Sequence, residues 1–417
     1  MSTSIASGRA GEIDGVRTRS GHAEALLRDP GDFTLVLGGP LFQFFRKLHL
    51  SGDALELAHR RIVLLAGVAW LPLFLLALLE GNLIGSAAAA PFLFDIEAHV
   101  RFLVFIPLLV GAELGVHTRV RLVARQFLER ELVSAEDRPR FDAALASTYR
   151  LRNSVPIELS LIALVYTVGV AFVWRQFTAL EAASWYAVPG PSGYHLSLAG
   201  YWYAVVSVPL AQFLLLRWYF RILLWARFLR LVSGINLRLV PTHPDRVGGL
   251  GFLSLTTFAF TPLAVAHGAL ISAWIANRLF LHQGSLLDYK FQILAVVVLV
   301  VILVFGPLLC FTPQLSRTWR RGVYDYGPLA ERYAHEFEEK WVRPTHDPVE
   351  PLLGHQDIRS LADMLRVYDA ARSMRFSLLT REAVIQLLVA TLLPLAPLAL
   401  FMIPLGDLVK ALAGMLF

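Results

Sequence analysis

Seven stretches of this chain are apolar for long enough to cross a lipid bilayer, and that pattern leaves few folds open. They run from Ile62 to Leu79, Val100 to Val116, Pro156 to Trp174, Gly200 to Leu216, Phe252 to Ala276, Phe291 to Phe311 and Ala383 to Ile403. A hydrocarbon layer about 30 Å thick is crossed by roughly 20 residues of helix, at about 1.5 Å per residue. Lipid offers the backbone no hydrogen bonds, so each span must satisfy its own, and strand-like alternation is absent. The expected fold is therefore all-α, a polytopic bundle of seven transmembrane helices. Composition agrees: 56% of the residues are apolar and 17% charged, against about 25% charged in an ordinary soluble domain.

Orientation follows from the basic residues. Eight Lys and Arg precede the first span, eight lie in 119–154, six in 217–250 and eleven in 313–382, which together hold 33 of the 38. Rich and poor connections alternate, so the positive-inside rule puts the N-terminus in the cytoplasm and the C-terminus outside. The formal charge of +6 is thus spent on flanking the spans, and no nucleic-acid partner is expected. Residues 1–32 are polar and lack the apolar core of a signal peptide, which reads as a disordered cytoplasmic tail before a membrane domain over 33–417. Pro40 to His49 resembles an interfacial helix, and Gly406 to Phe417 a second one on the outer side.

Two of the cytoplasmic connections, 119–154 and 313–382, are long enough to form helical insertions. Val120, Val123, Phe127 and Leu132 continue the second span as an amphipathic helix, and Phe141, Leu145 and Tyr149 form another after Pro139. Leu329, Tyr333, Phe337 and Trp341 recur every four residues, and Ile358, Leu361, Leu365 and Tyr368 follow Asp357 as a candidate N-cap. Such stripes either pack on one another beneath the membrane or dock a cytoplasmic protein partner.

Ionisable groups inside a bilayer are costly and usually face the bundle interior. Counting along the spans puts Glu113, Glu158 and Arg217 at similar depth near the inner face, where they can form one layer. That layer is either part of a solute path or a buried ion pair with side chains reaching for the interface. Glycines flank Glu113 in Gly111-Ala112-Glu113-Leu114-Gly115 and can let a neighbouring helix approach closely. His267 lies deeper, as a proton relay or as a hydrogen-bonded packing residue. Six spans carry interior prolines, which free a carbonyl and can kink a helix around a cavity.

The most distinctive string is Pro241-Thr242-His243-Pro244-Asp245-Arg246-Val247-Gly248-Gly249-Leu250. Proline extends the residue before it, so His243 and Asp245 can share a face ahead of a helix N-terminus, an arrangement fit for an anion. His346 and Asp347, in Pro344-Thr345-His346-Asp347-Pro348, can join them from the next connection. The plainer alternative is that Asp245 caps the fifth span while His243 packs locally. Two ligands do not make a metal site, and the lone Cys310 allows no disulfide within the chain. No nucleophile elbow, zinc-protease motif, phosphate loop or dinucleotide fingerprint is present, so neither catalytic residues nor a cofactor nor a bound metal is expected.

Two stretches resemble a widespread family of uncharacterised bacterial multi-pass inner-membrane proteins. One is His243-Pro244-Asp245-Arg246-Val247-Gly248-Gly249-Leu250-Gly251-Phe252-Leu253. The other runs from Tyr326-Gly327-Pro328-Leu329-Ala330 through Phe337 and Lys340-Trp341 to Glu350-Pro351-Leu352-Leu353-Gly354 and Asp357-Ile358-Arg359-Ser360-Leu361-Ala362-Asp363. The resemblance implies the bacterial inner membrane and the same architecture, and brings no activity. The leading functional expectation is a channel or transporter for ions or a small solute, built as a homo-oligomer. The alternatives are a membrane-embedded enzyme acting on a lipid or phosphate-bearing substrate at the cytoplasmic face, and a sensor or scaffold for a cytoplasmic protein.

Overall fold

A computed structural model describes residues 34–36, 58–84, 91–171, 184–190, 193–282, 285–343 and 356–402. The expected tail over 1–32, both expected interfacial helices, and the residues His346 and Asp347 lie outside the described residues. In chain order the helices are α1 (Ala58–Leu79), α2 (Ile96–Glu129), α3 (Arg138–Arg152), α4 (Val155–Gly169), α5 (Leu198–Val232), α6 (Gly251–Phe280), α7 (Leu286–Val342), α8 (Gln356–Arg372) and α9 (Arg381–Ala399). Between α4 and α5, β1 (Ala187–Gly190) and β2 (Gly193–Leu196) pair as an antiparallel hairpin, with Ala187 opposite Leu196. The apolar-run reading did not anticipate this hairpin, which is short and lies in a connection rather than in a span.

Among the described residues, α1, α2, α5, α6, α7 and α9 are each long and apolar enough to cross a membrane. The third apolar run behaves differently. Helix α4 qualifies only together with α3, from which it is bent by 49°, so the described spans number six, or seven if the bent pair is one span. The chain is an all-α, multi-pass membrane protein. Its spans turn large apolar side chains outward, Leu79 with 82% and Phe291 with 71% of their surface exposed. Apolar exposure on that scale suits lipid and not water.

Lipid tails are as apolar as leucine, so helices in a bilayer hold together by close packing and hydrogen bonds rather than by hydrophobic burial. The α6–α9 contact follows that rule. A Cβ on Gly268 would lie 2.0 Å from the Thr391 carbonyl oxygen, so only glycine fits there. Ser272 donates to the Pro394 carbonyl (2.7 Å), and Gln386 donates to Thr261 Oγ1 (2.9 Å). Gly111, by contrast, meets no neighbour among the described residues, while Gly115 makes only ordinary contact with Ala259.

Proline removes a donor and its ring displaces a carbonyl one turn back. Turns of π geometry at Arg101–Phe105 and Tyr203–Ser207 stand just ahead of Pro107 and Pro209. Tight 3₁₀ turns contain Pro307 and Pro394 or lead into Pro262. Pro72 instead sits within continuous α1.

The ends of the spans that carry the arginine-rich connections gather on one side, called here the basic end. A buried aromatic core closes it: Phe127 meets Phe252 edge-on (5.1 Å), Phe141 (5.9 Å) and Phe311 (6.3 Å), and Phe141 meets Phe228 (6.0 Å). The stripes on α2 and α3 thus pack against the bundle itself. Beyond it, α7 and α8 form a helical hairpin. Trp319 donates to the Arg372 carbonyl (3.1 Å), and Lys340 and Trp341 both reach Asp357 Oδ2 (2.8 and 3.1 Å). The outer stripe of this hairpin, Leu329, Tyr333, Ile358 and Leu365, remains exposed among the described residues.

Candidate functional site

At the basic end, α1, α2, α4 and α5 converge on one buried carboxylate. Glu113 Oε2 accepts from Arg61 Nη1 at 2.8 Å, and its Oε1 lies 2.7 Å from Arg221 Nη2 and 4.0 Å from Arg217 Nη1. Arg217 Nε in turn stands 3.7 Å from Glu158 Oε1. Arg61, Glu113, Arg217 and Arg221 are all more than nine-tenths buried. The structure therefore brings Glu113, Glu158 and Arg217 into one layer. Arg217 and Arg221 share a face because they are four residues apart on α5, and Trp218 fixes that face by donating to the Leu109 carbonyl at 2.9 Å.

The sequence reading overlooked Arg61, Arg221 and Arg152. By pattern alone Arg61 is a flanking charge, and the fourth apolar run ends at Leu216, one residue before the helix turns its arginines inward. The missed signal was the i, i+4 spacing of Arg217 and Arg221, together with the rule that a buried carboxylate needs a paired cation. A small cavity adjoins the layer, lined by Leu35, Arg152, Ser154, Glu158, Leu161, Arg217, Phe220, Arg221 and Leu224. Thr34, next to the lining residue Leu35, is anchored on both sides: its carbonyl accepts from Arg152 Nη1 (2.6 Å), and its hydroxyl pairs with His117 Nδ1 (2.9 Å). Two guanidinium nitrogens here, Arg61 Nε and Arg61 Nη2, have no hydrogen-bond partner among the described residues. Such orphaned donors are rare in buried positions.

His267 is placed apart from this layer. Its Nδ1 lies 2.7 Å from the Leu263 carbonyl, which can only accept, so that nitrogen carries the hydrogen. Nε2 then accepts from the Tyr219 hydroxyl at 2.8 Å. The first contact fixes the ring on α6 itself, and the second ties α6 to α5.

The His243–Asp245 loop is organised around its own carboxylate. Asp245 Oδ1 accepts from the N–H groups of Val247 (2.9 Å) and Gly249 (3.1 Å), and Oδ2 from Gly251 (2.8 Å). His243 Nδ1 stands 2.8 Å from Asp245 Oδ1. Gly248 and Gly249 adopt φ of +67° and +99°, and a Cβ on Gly251 would meet Asp245 Oδ2 at 2.9 Å. The repeated glycines are therefore the backbone geometry that lets three N–H groups converge on one side chain. Burial pushes the Asp245 carboxyl up, but the N–H donors of Val247, Gly251 and Gly249, with His243, outweigh it and hold the group below the usual carboxylate range. Asp245 Oδ2 thus holds the first N–H of α6. Among the described residues no three His, Cys, Asp or Glu side chains group as metal ligands.

No protein-family model, curated protein or solved structure matches the chain.

Proposed function

We propose that this chain is a seven-span bacterial inner-membrane protein, N-terminus in the cytoplasm and C-terminus outside, that forms a channel or transporter for ions or a small solute. The reading rests on one observation above all: buried arginines and glutamates gathered between spans beside a cavity. Keeping such groups out of water costs several kcal/mol per ion (an order-of-magnitude figure) unless they are paired, and in membrane proteins they usually mark a pathway. The alternating basic connections support the orientation, and the family resemblance supports the bacterial membrane. In this reading Glu113, Arg217 and Glu158 line the path, and the His243–Asp245 loop braces its cytoplasmic end.

The test is flux through purified protein in liposomes, across a panel of cations and anions, with Glu158→Gln beside the wild type. Glu158 is the least buried of the carboxylate–arginine contacts in the layer, so its substitution tests the path with least disturbance of the fold. Flux above empty liposomes, altered by Glu158→Gln, is the expected result. No flux for any ion would count against transport.

A second reading is favoured by the exposed apolar stripe on the α7–α8 hairpin, which suits a sensor or scaffold that binds a cytoplasmic protein or a second copy of the chain. Substituting Leu329 and Leu365 by Ser would then abolish a stoichiometric complex without altering flux.

A further inference from the structure

We infer that the cavity beside the charged layer binds a small monovalent inorganic anion of halide size, held by Arg152, Arg217 and Arg221 together with the hydroxyl of Ser154. The inference deepens the transport reading by naming its solute class, and rests on that reading for the anion to be cargo.

Charge comes first. Among the described residues, Arg61, Arg152, Arg217 and Arg221 face only Glu113 and Glu158 in this layer, so positive charge is in excess. A buried surplus of cationic charge is unfavourable and is offset by an anion more readily than by water. Orientation comes second. Arg221 is more than nine-tenths buried and lines the cavity, with its Nη2 held 2.7 Å from Glu113 Oε1, which fixes the guanidinium plane beside the cavity. Guanidinium donors are strong partners for anions.

Helix α4 adds a third contribution. Ser154 is its N-cap, and the serine side chain makes no capping hydrogen bond, so the hydroxyl stands beside the cavity at the positive end of the helix dipole. Size and polarity then narrow the ligand. The cavity holds about 20 Å³, where roughly 10–15 Å³ suffices for one water, so a monatomic anion fits and a phosphate ester does not. Leu35, Leu161, Phe220 and Leu224 form the rest of the wall, which suits a weakly hydrated ion. Glu158 also lines the cavity and repels a second negative charge, so the site selects a monovalent anion.

The experiment measures chloride binding to the purified full chain in lipid nanodiscs, from the excess ³⁵Cl linewidth, with bromide and phosphate as competitors. Wild type should broaden the line saturably; bromide should displace chloride and phosphate should not. Arg152→Gln should weaken chloride by about tenfold, the effect of losing one charge-assisted contact. Ser154→Ala, which leaves every arginine in place, should weaken it several-fold. No saturable broadening by folded wild type would overturn the site, as would unchanged affinity in a monodisperse Arg152→Gln. Displacement by phosphate at equal concentration would overturn the size assignment. Chloride binding without anion flux would overturn the transport reading and leave the site standing, whereas cation flux without chloride binding would do the reverse.

Discussion

Glu113 is held by Arg61 and Arg221 at hydrogen-bonding distance, with Arg217 behind them. Replacing it by Gln leaves three buried guanidinium groups facing a neutral amide. Breaking one member of such a set costs about 3–5 kcal/mol, so Glu113→Gln should unfold well below the wild type in a detergent thermal melt. Glu113→Gln with Arg61→Met should recover part of the loss, and an unchanged melting temperature in the single variant would contradict the pairing. Asp245 makes a prediction of different form. Its folded-state pKa is depressed, so its stabilisation is complete above the unfolded value of about 3.9 and is lost as pH falls through the lower folded value. Stability should therefore stay level from pH 7 to 5 in this respect and decline below about pH 4. Asp245→Asn should lack that component of the decline, as equilibrium unfolding across the range would show. At this scale the sequence carried half of the site. Depth counting placed Glu113, Glu158 and Arg217 at one height, because helical rise is fixed. It could not assign Arg61 or Arg152, because an arginine at a span boundary is equally at home in water.

The apolar runs marked six of the spans directly, since hydrophobic length is a property of composition alone. The third was harder. Its helix α4 is described through Ala171 and counts as a span together with α3, from which it is bent by 49°. The continuity of α7, from Leu286 to Val342, was also hidden. Its first part is apolar and its second amphipathic, so the sequence pattern changes where the helix does not end. Which helices touch was not legible either, because close approach depends on a partner's backbone that no local pattern reveals. Gly268 and Gly67 show the difference. A Cβ at Gly268 collides with the Thr391 carbonyl, while one at Gly67 meets nothing. Gly268→Ala should cost about 1–3 kcal/mol through displacement of α6 from α9, and Gly67→Ala should be neutral or stabilising by up to about 1 kcal/mol. Equal melting temperatures for the two variants would contradict the α6–α9 packing.

Across the whole molecule, the aromatic core of Phe127, Phe141, Phe228, Phe252 and Phe311 ties α2, α3, α5, α6 and α7 into one basic end. The charged layer and its cavity sit on that side, so in the proposed topology the site is reached from the cytoplasm. The proposed topology, seven spans with the N-terminus in the cytoplasm, puts the C-terminus outside. Alkaline phosphatase fused after Phe417 should be active, and a fluorescent protein fused there should stay dark; the opposite pair of outcomes would contradict this topology. The most direct test of the central claim places a reactive group in the cavity. Leu161 lines it, and Cys310 is the only native cysteine, so Leu161→Cys in a Cys310→Ser background carries a single thiol. Ion flux through this variant in liposomes is measured before and after a charged, membrane-impermeant thiol reagent applied on the cytoplasmic side. Flux should fall by at least about half as the path narrows, with the Cys310→Ser parent unaffected. Complete labelling of Leu161→Cys with undiminished flux would show that the solute does not pass the charged layer.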